Sequence, residues 1–204
     1  MNSRPTGTRD HSVGEGEMAS KLEDVIRHLL NRSNYLHEKR IQKLIFLADL
    51  YCLQTTGRRL VAANFKPYHY GVHSDDVSLA LQSMEGLRVS ADTSPDGTPT
   101  VVFLRPSKPY ATPHLTAHDR KILDEALVAY SRLTNEQLAQ IGKTTLLWES
   151  TEFGQLFDYE LYLKDPASRL SPEMMKAFEA AERAVSRGKL KKYATVEEMW
   201  ADAE

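Results

Sequence analysis

Residues 36–53 read LHEKRIQKLIFLADLYCL. From Leu44 to Leu53 every residue except Asp49 is apolar. A surface helix carries one apolar stripe, whereas a helix apolar around most of its circumference is enclosed by other elements. The run is well short of the roughly 20 apolar residues that cross a bilayer. It predicts the central helix of a globular domain. Lys39, Arg40 and Lys43 bring its first turns to the surface, and Thr55-Thr56-Gly57 marks its exit, with Gly57 suited to a left-handed cap. Asp49 is the exception that needs a partner, because an unpaired buried carboxylate is costly. Arg58, Arg59, Lys66, Tyr68 or a backbone amide can supply one. Asp49 is therefore read as a structural pin that ties residues 58–70 to the helix.

Upstream, residues 1–17 hold little to bury and predict a disordered leader. Ser20-Lys-Leu-Glu23 has the form of a capping box, opening an amphipathic helix on Leu22, Val25, Ile26, Leu29 and Leu30 to about Arg32. Ser33-Asn34 is a short turn into the central helix, so the two helices should pack antiparallel. Downstream, residues 64–70 read as a short extended segment, confined to an edge by Pro67 and broken by Gly71. Ser74 caps a helix over 75–85, with Val77, Ala80, Leu81 and Met84 inward. Residues 87–93 and 100–105 flank Ser94-Pro-Asp-Gly97 and predict a hairpin, which must lie on the helices or pair with 64–70. Thr116 opens a helix to about Leu133, and Thr134-Asn-Glu-Gln137 opens a second to about Ile141, a helix-turn-helix-like pair. Leu146, Leu147 and Trp148 close the core. The fold class is mainly α (α+β): a helical bundle around a buried helix, with a small antiparallel hairpin on one side.

KRIQKLIFLADLYCLQTTGRRL, then FKPYHYG and a helix from about Ser74, resembles the Panacea domain of SocA-like antitoxins. The order and spacing of the KLIFLAD helix, the TGR turn, the aromatic-basic strand ending in Tyr70-Gly71 and a later helix near Trp148 carry that resemblance over roughly residues 20–155. Two departures are Val72 where the family usually has Pro, and the lack of a His just ahead of Trp148. Three segments follow: the leader at 1–17, a Panacea-like domain at 18–155 and a C-terminal extension at 156–204. The resemblance implies a non-enzymatic antitoxin that neutralises a cognate protein toxin. One family member is an adaptor that delivers its toxin to a protease.

The extension includes a helix start at Ser171-Pro172-Glu173, with Met175, Phe178, Ala181 and Val185 as a thin apolar stripe to Gly188. Its end, SRGKLKKYATVEEMWADAE, is similar to the toxin-wrapping tails of RelB- and DinJ-type antitoxins. Leu190, Tyr193, Val196, Met199 and Trp200 are the anchors such a tail offers a toxin groove, or a second copy of the chain in a homo-oligomer. The alternative is that the tail folds back on its own core. A second partner surface is a basic-aromatic cluster of Lys39, Arg40, Lys43, Arg58, Arg59, Lys66, His69 and Tyr70, which could also meet the phosphates of operator DNA.

Composition limits the alternatives. The 204 residues carry a formal charge of −2, which gives no global argument for nucleic-acid or membrane binding. The lone Cys52 lies in the apolar run and reads as a buried thiol rather than a nucleophile. No apolar signal segment opens the chain, so a cytoplasmic protein is expected. No phosphate loop, nucleophile elbow or zinc-protease motif is present. His69/His73 and His114/His118 have zinc-compatible spacing, but Gly71 interrupts the first pair and a helix start splits the second. A DNA-binding autoregulator and, more remotely, a zinc hydrolase are the rival readings. No cofactor is expected.

Overall fold

The computed structural model describes residues 12–93, 97, 99–164 and 170–188, with side chains from Ser20 onward. In chain order the elements are α1 (Ser12–Arg32), β1 (Tyr35–His37), α2 (Glu38–Thr56), β2 (Lys66–Tyr68), β3 (Gly71–His73), α3 (Asp75–Ser83), β4 (Arg88–Thr93), β5 (Pro99–Leu104), α4 (Ala117–Ala129), α5 (Asn135–Lys143), α6 (Leu146–Glu149), α7 (Tyr159–Lys164) and α8 (Pro172–Ser186). This is the expected α+β arrangement of helices around α2 with a small antiparallel sheet.

Every residue of α2 from Ile41 to Leu53 is buried, the polar Gln42, Lys43 and Asp49 included. Packed around it are α1, α3, α4, α5, β1, β3 and β5. Gly57 ends it with φ +69, and its amide donates to the Leu53 carbonyl at 2.9 Å. A left-handed residue there lets the chain reverse without a Cβ clash.

The start of α2 departs from expectation. Leu36 and His37 belong to strand β1, which pairs antiparallel with β5 through Tyr35–Leu104, Leu36–Phe103 and His37–Val102. The 87–105 hairpin thus takes its third strand from residues 35–37 and not from the 64–70 segment, giving the order β1-β5-β4. An open hairpin edge demands pairing, and that tertiary demand overrides the local helical pattern at Leu36. The 64–70 segment instead folds on β3 as its own two-stranded hairpin, with Pro67 opposite Val72. Ser20 lies inside α1 rather than capping it, since α1 begins at Ser12. Of the disordered leader expected at 1–17, residues 1–11 lie outside the described residues, and residues 12–17 are instead the first turns of α1.

Helix caps elsewhere follow the sequence. Ser74, Thr116, Thr134 and Ser171 each accept a first-turn amide, and Thr116/Asp119 and Thr134/Gln137 form complete capping boxes. Polar pairs tie α1 to α4 and to the loop ahead of it. His28 Nε2 meets Asp124 at 2.8 Å, and the buried Asp24 accepts the His114 amide at 2.7 Å. Among the described residues no helix is long and apolar enough to cross a membrane.

The chain beyond Phe153 adds to the same core. Phe157, Tyr162, Leu170, Met174 and Phe178 are buried within it. The Phe178 ring stacks on Tyr51 of α2 at 3.9 Å and meets the edge of Tyr130 at 5.5 Å. Gln54 of α2 accepts the Leu170 amide at 2.8 Å. Helix α8 therefore packs its apolar stripe on the same core as the bundle. Phe178→Ala is expected to lower unfolding stability by about 3–5 kcal/mol, the range for emptying a buried phenylalanine site. Urea denaturation should show one shifted transition. A separate, early transition for α8 alone would contradict the single packed unit.

Candidate partner-binding face

Two polar residues of α2 position the surface elements above it. Asp49 accepts from Arg59 Nε at 2.8 Å and from the amides of Leu60 and Val61 at 2.7 and 3.2 Å, and its ion pair with Arg59 closes to 2.6 Å at Nη2. Burial pushes the Asp49 carboxyl up, and the Arg59 charge with these hydrogen bonds pulls it back. Arg59 also donates to the Ala63 carbonyl at 2.6 Å and lies over the Tyr159 ring at 3.6 Å. The chain leaving α2 is thereby held where Phe65 can bury and β2 can begin. Near the other end of α2, Gln42 accepts the Ser74 amide at 2.7 Å and donates to Glu38 and Ser78, each at 3.0 Å. This fixes the start of α3 and, through it, β3.

Between these anchors the β2–β3 hairpin stands over the first turns of α2. Gly71 has φ +94, and a Cβ there would meet Ala139 Cβ at 3.1 Å and Lys43 Cε at 3.5 Å. Only a glycine lets the hairpin lie this close to α5 and Lys43. Tyr70 projects outward, 65% exposed, with Lys39 Nζ 3.8 Å from its ring centroid. Tyr68 stacks on Phe153 at 5.5 Å, and His69 meets the same ring at 4.8 Å. Phe153 is 57% exposed, and its loop is fixed to β2 by the Gly154 amide donating to the Pro67 carbonyl at 3.0 Å. The result is an exposed Tyr-His-Phe surface beside a cleft of about 370 Å³. Lys39, Lys43, Tyr70, Gly71, Val72 and Val101 are among the cleft's lining residues.

Of the expected basic-aromatic cluster, Lys39, Lys43, Lys66, His69 and Tyr70 come together around this hairpin. Arg59 does not join them, because Asp49 and Tyr159 hold it. Arg40 is directed to the opposite flank, donating to the carbonyls of Leu133 and Tyr130 at 2.7 and 2.6 Å. Arg58, just past the Gly57 cap, is exposed at the far end of α2. Trp148 is half-buried against the core with Lys143 Nζ 5.6 Å from its ring. Leu190, Tyr193, Val196, Met199 and Trp200 lie outside the described residues. Phe153 was not anticipated as a surface residue. Its signal was a large aromatic between Glu152 and Gly154 in a stretch without helical phase.

One histidine of each zinc-spaced pair is engaged by a carboxylate of its own. His73 engages Asp75 at 3.0 Å and His114 engages Asp24 at 2.9 Å. Among the described residues no group of three or more His, Cys, Asp or Glu side chains is arranged to hold a metal ion.

Lys43 is the electrostatic outlier. It is 3% exposed, and its ammonium donates to the Lys39 carbonyl at 3.1 Å. Burial foremost, then Lys39 and Lys143, push its pKa down to about 8, with Glu136 opposing. Lysine in the unfolded chain holds its proton to about 10.5, so between pH 8 and 10.5 the unfolded state binds more protons.

The family model described as Antitoxin SocA-like, Panacea domain, matches residues 41–149. No curated protein and no solved structure matches. The matched span contains most of α2, the β2–β3 hairpin, the β4–β5 hairpin and α3 to α6.

Two outcomes follow for stability. Arg59→Ala leaves the Asp49 charge buried without its cation and is expected to cost about 3–5 kcal/mol in urea denaturation. The double variant Asp49→Leu/Arg59→Met should cost clearly less than the sum of the two single changes, because it removes both charges together. For Lys43, stability relative to Lys43→Met should rise by roughly 3 kcal/mol from pH 8 to 10.5, at about 1.36 kcal/mol per unit of displaced pKa. Below pH 8 the Met variant should be the more stable protein. Parallel pH profiles for the two proteins would contradict the buried, charge-poor setting of Lys43.

Proposed function

This chain belongs to the SocA-like antitoxin family, Panacea domain, and from that premise we propose that it neutralises a cognate protein toxin by binding it directly. The observation that carries the reading is the exposed Tyr68-Tyr70-Phe153 surface beside the Lys39/Lys43 cleft, most of it within the family-matched span. Large aromatics fixed by their neighbours and flanked by cations are the side chains that dominate protein–protein binding energy. They lose little conformational freedom on docking, since ring stacking and backbone hydrogen bonds already hold them. The toxin is covered by this face, and the segment after Gly188 supplies a second grip through Tyr193, Met199 and Trp200. Masking of the toxin accounts for neutralisation without any catalytic group. Delivery to a protease would use the same surface to hold the toxin.

The rival reading as an operator-binding protein finds less support. In the α4–α5 pair, α4 is enclosed by α1, α2 and α8, and the solvent side of α5 carries Glu136, Gln137 and Gln140. A recognition helix needs cations toward phosphates.

The test is co-expression with the product of the adjacent gene as the toxin candidate, followed by calorimetric titration of the purified pair. Tyr70→Ala with Phe153→Ala should weaken binding by about tenfold or more and impair growth rescue. Both side chains are exposed, so unfolding stability should stay within about 0.5 kcal/mol of the parent. Truncation belongs after Gly188, because a cut at Ser171 removes the buried Phe178 and Met174. Loss of rescue with the shorter chain assigns toxin contacts to the tail. Undiminished binding by the Tyr70/Phe153 variant overturns the aromatic face as the docking site.

A further inference from the structure

The cleft beside Tyr70 has the character of a receptor for a single negative charge. Its recessed wall is Lys43, whose ammonium uses one of its three hydrogens on the Lys39 carbonyl. Among the described residues no carboxylate lies within ion-pair distance of it, although neighbouring elements contribute charged groups. From α2 these are Lys39 and Glu38, from α5 Glu136 and Lys143, and from β3 His73. Glu38 is taken by Gln42 and the Ser78 hydroxyl, and His73 faces Asp75, which also holds Lys66 at 2.6 Å. Glu136 acts on Lys39 and Lys43 from beyond ion-pair distance, so among the described residues neither ammonium has a carboxylate in direct contact at the mouth and floor of the cleft.

The other wall is a strand edge. The β1 ladder stops at His37–Val102, while β4 continues along β5 to Pro99. Pro99, Thr100 and Val101 thus line the cleft on the side where β1 has turned away into α2. A strand edge next to a pocket for one side chain is the arrangement that accepts an extended polypeptide, with backbone pairing for affinity and the pocket for specificity. The apolar Val72, Val101 and Tyr68 suit the stem of such a side chain and do not suit a polyphosphate.

We propose that this cleft binds an extended segment of the toxin, with an Asp or Glu carboxylate of that segment seated on Lys43 and Lys39 under the Tyr70 ring. This rests on the antitoxin reading above and names the chemistry of the contact. Lys43 is then held charged and under-neutralised in the free protein so that the toxin completes it. An unpaired buried cation discriminates strongly between partners, because a segment lacking the carboxylate must leave it unpaired.

The experiment uses the full chain and the toxin candidate encoded by the adjacent gene. Toxin affinity is measured for the parent, Lys43→Met and Lys39→Ala, against a panel of toxin variants in which each Asp and Glu is changed in turn. Lys43→Met should lose about tenfold or more in affinity while the free variant stays folded. One toxin carboxylate should show coupling to Lys43, its removal costing far less in the Lys43→Met background. In the complex, the Lys43 side-chain NMR signal should titrate above the value near 8 expected for the free protein. Equal toxin binding by Lys43→Met, or no coupled carboxylate, overturns the proposal while leaving the antitoxin reading intact. Failure of the two parent proteins to form any complex overturns the antitoxin reading and this inference with it. Binding of a short DNA duplex more tightly than the toxin, lost in Lys43→Met, overturns the assignment to a protein carboxylate.

Discussion

Helix α2 is enclosed on all sides, and the fold depends on how its three buried polar groups are satisfied. Asp49 draws three hydrogen bonds and an ion pair from the chain that has just left the helix, so residues 59–61 cross back over α2 instead of running into solvent. A buried carboxylate tolerates few positions for its partners, and that narrowness converts a costly charge into a geometric constraint. Gln42 acts likewise without charge, holding the Ser74 amide and with it the start of α3. Between these two anchors the β2–β3 hairpin has little freedom left. Gly71 settles its height above Lys43, because the contact at Ala139 leaves no room for a side chain.

What was legible in the sequence follows from how local each cause is. Helix α2, the caps at Ser74, Thr116, Thr134 and Ser171, the Gly57 exit and the β4–β5 hairpin are decided within a few residues, and all of them stand where the pattern puts them. Asp49 was legible as a buried charge in want of a partner, and Arg59 with two amides is that partner. Strand β1 was not legible, because Leu36 and His37 fit a helical phase and become a strand only when β5 needs an edge covered. The same distant cause decided that the hairpin pairs with residues 35–37 and not with 64–70. At the candidate site Lys39, Lys43 and Tyr70 converge as expected, since they lie on two segments that Asp49 and Gln42 hold against each other. Arg58 and Arg59 do not converge with them, because one residue of displacement past a helix end changes the direction of a side chain entirely. Phe153 was invisible as a contact, being 85 residues from Tyr68 and brought to it by the hydrogen bond from Gly154 to Pro67.

Lys43 differs from the other two polar groups of α2 in that its surroundings leave it unfinished. Asp49 and Gln42 are engaged inside the chain by several partners, whereas Lys43 donates to one carbonyl and faces Lys39 and Lys143, with Glu136 the opposing charge. A protein selected only for stability would place an apolar residue there, since packing without desolvating a charge is the cheaper arrangement. The retained charge therefore argues for a use outside the folded chain, at the cleft it lines. Stability and recognition make opposite demands on this one side chain. An antitoxin that gains part of its stability by meeting its toxin would be firmest in the complex and weaker when free, which couples its persistence to the presence of its target by mass action.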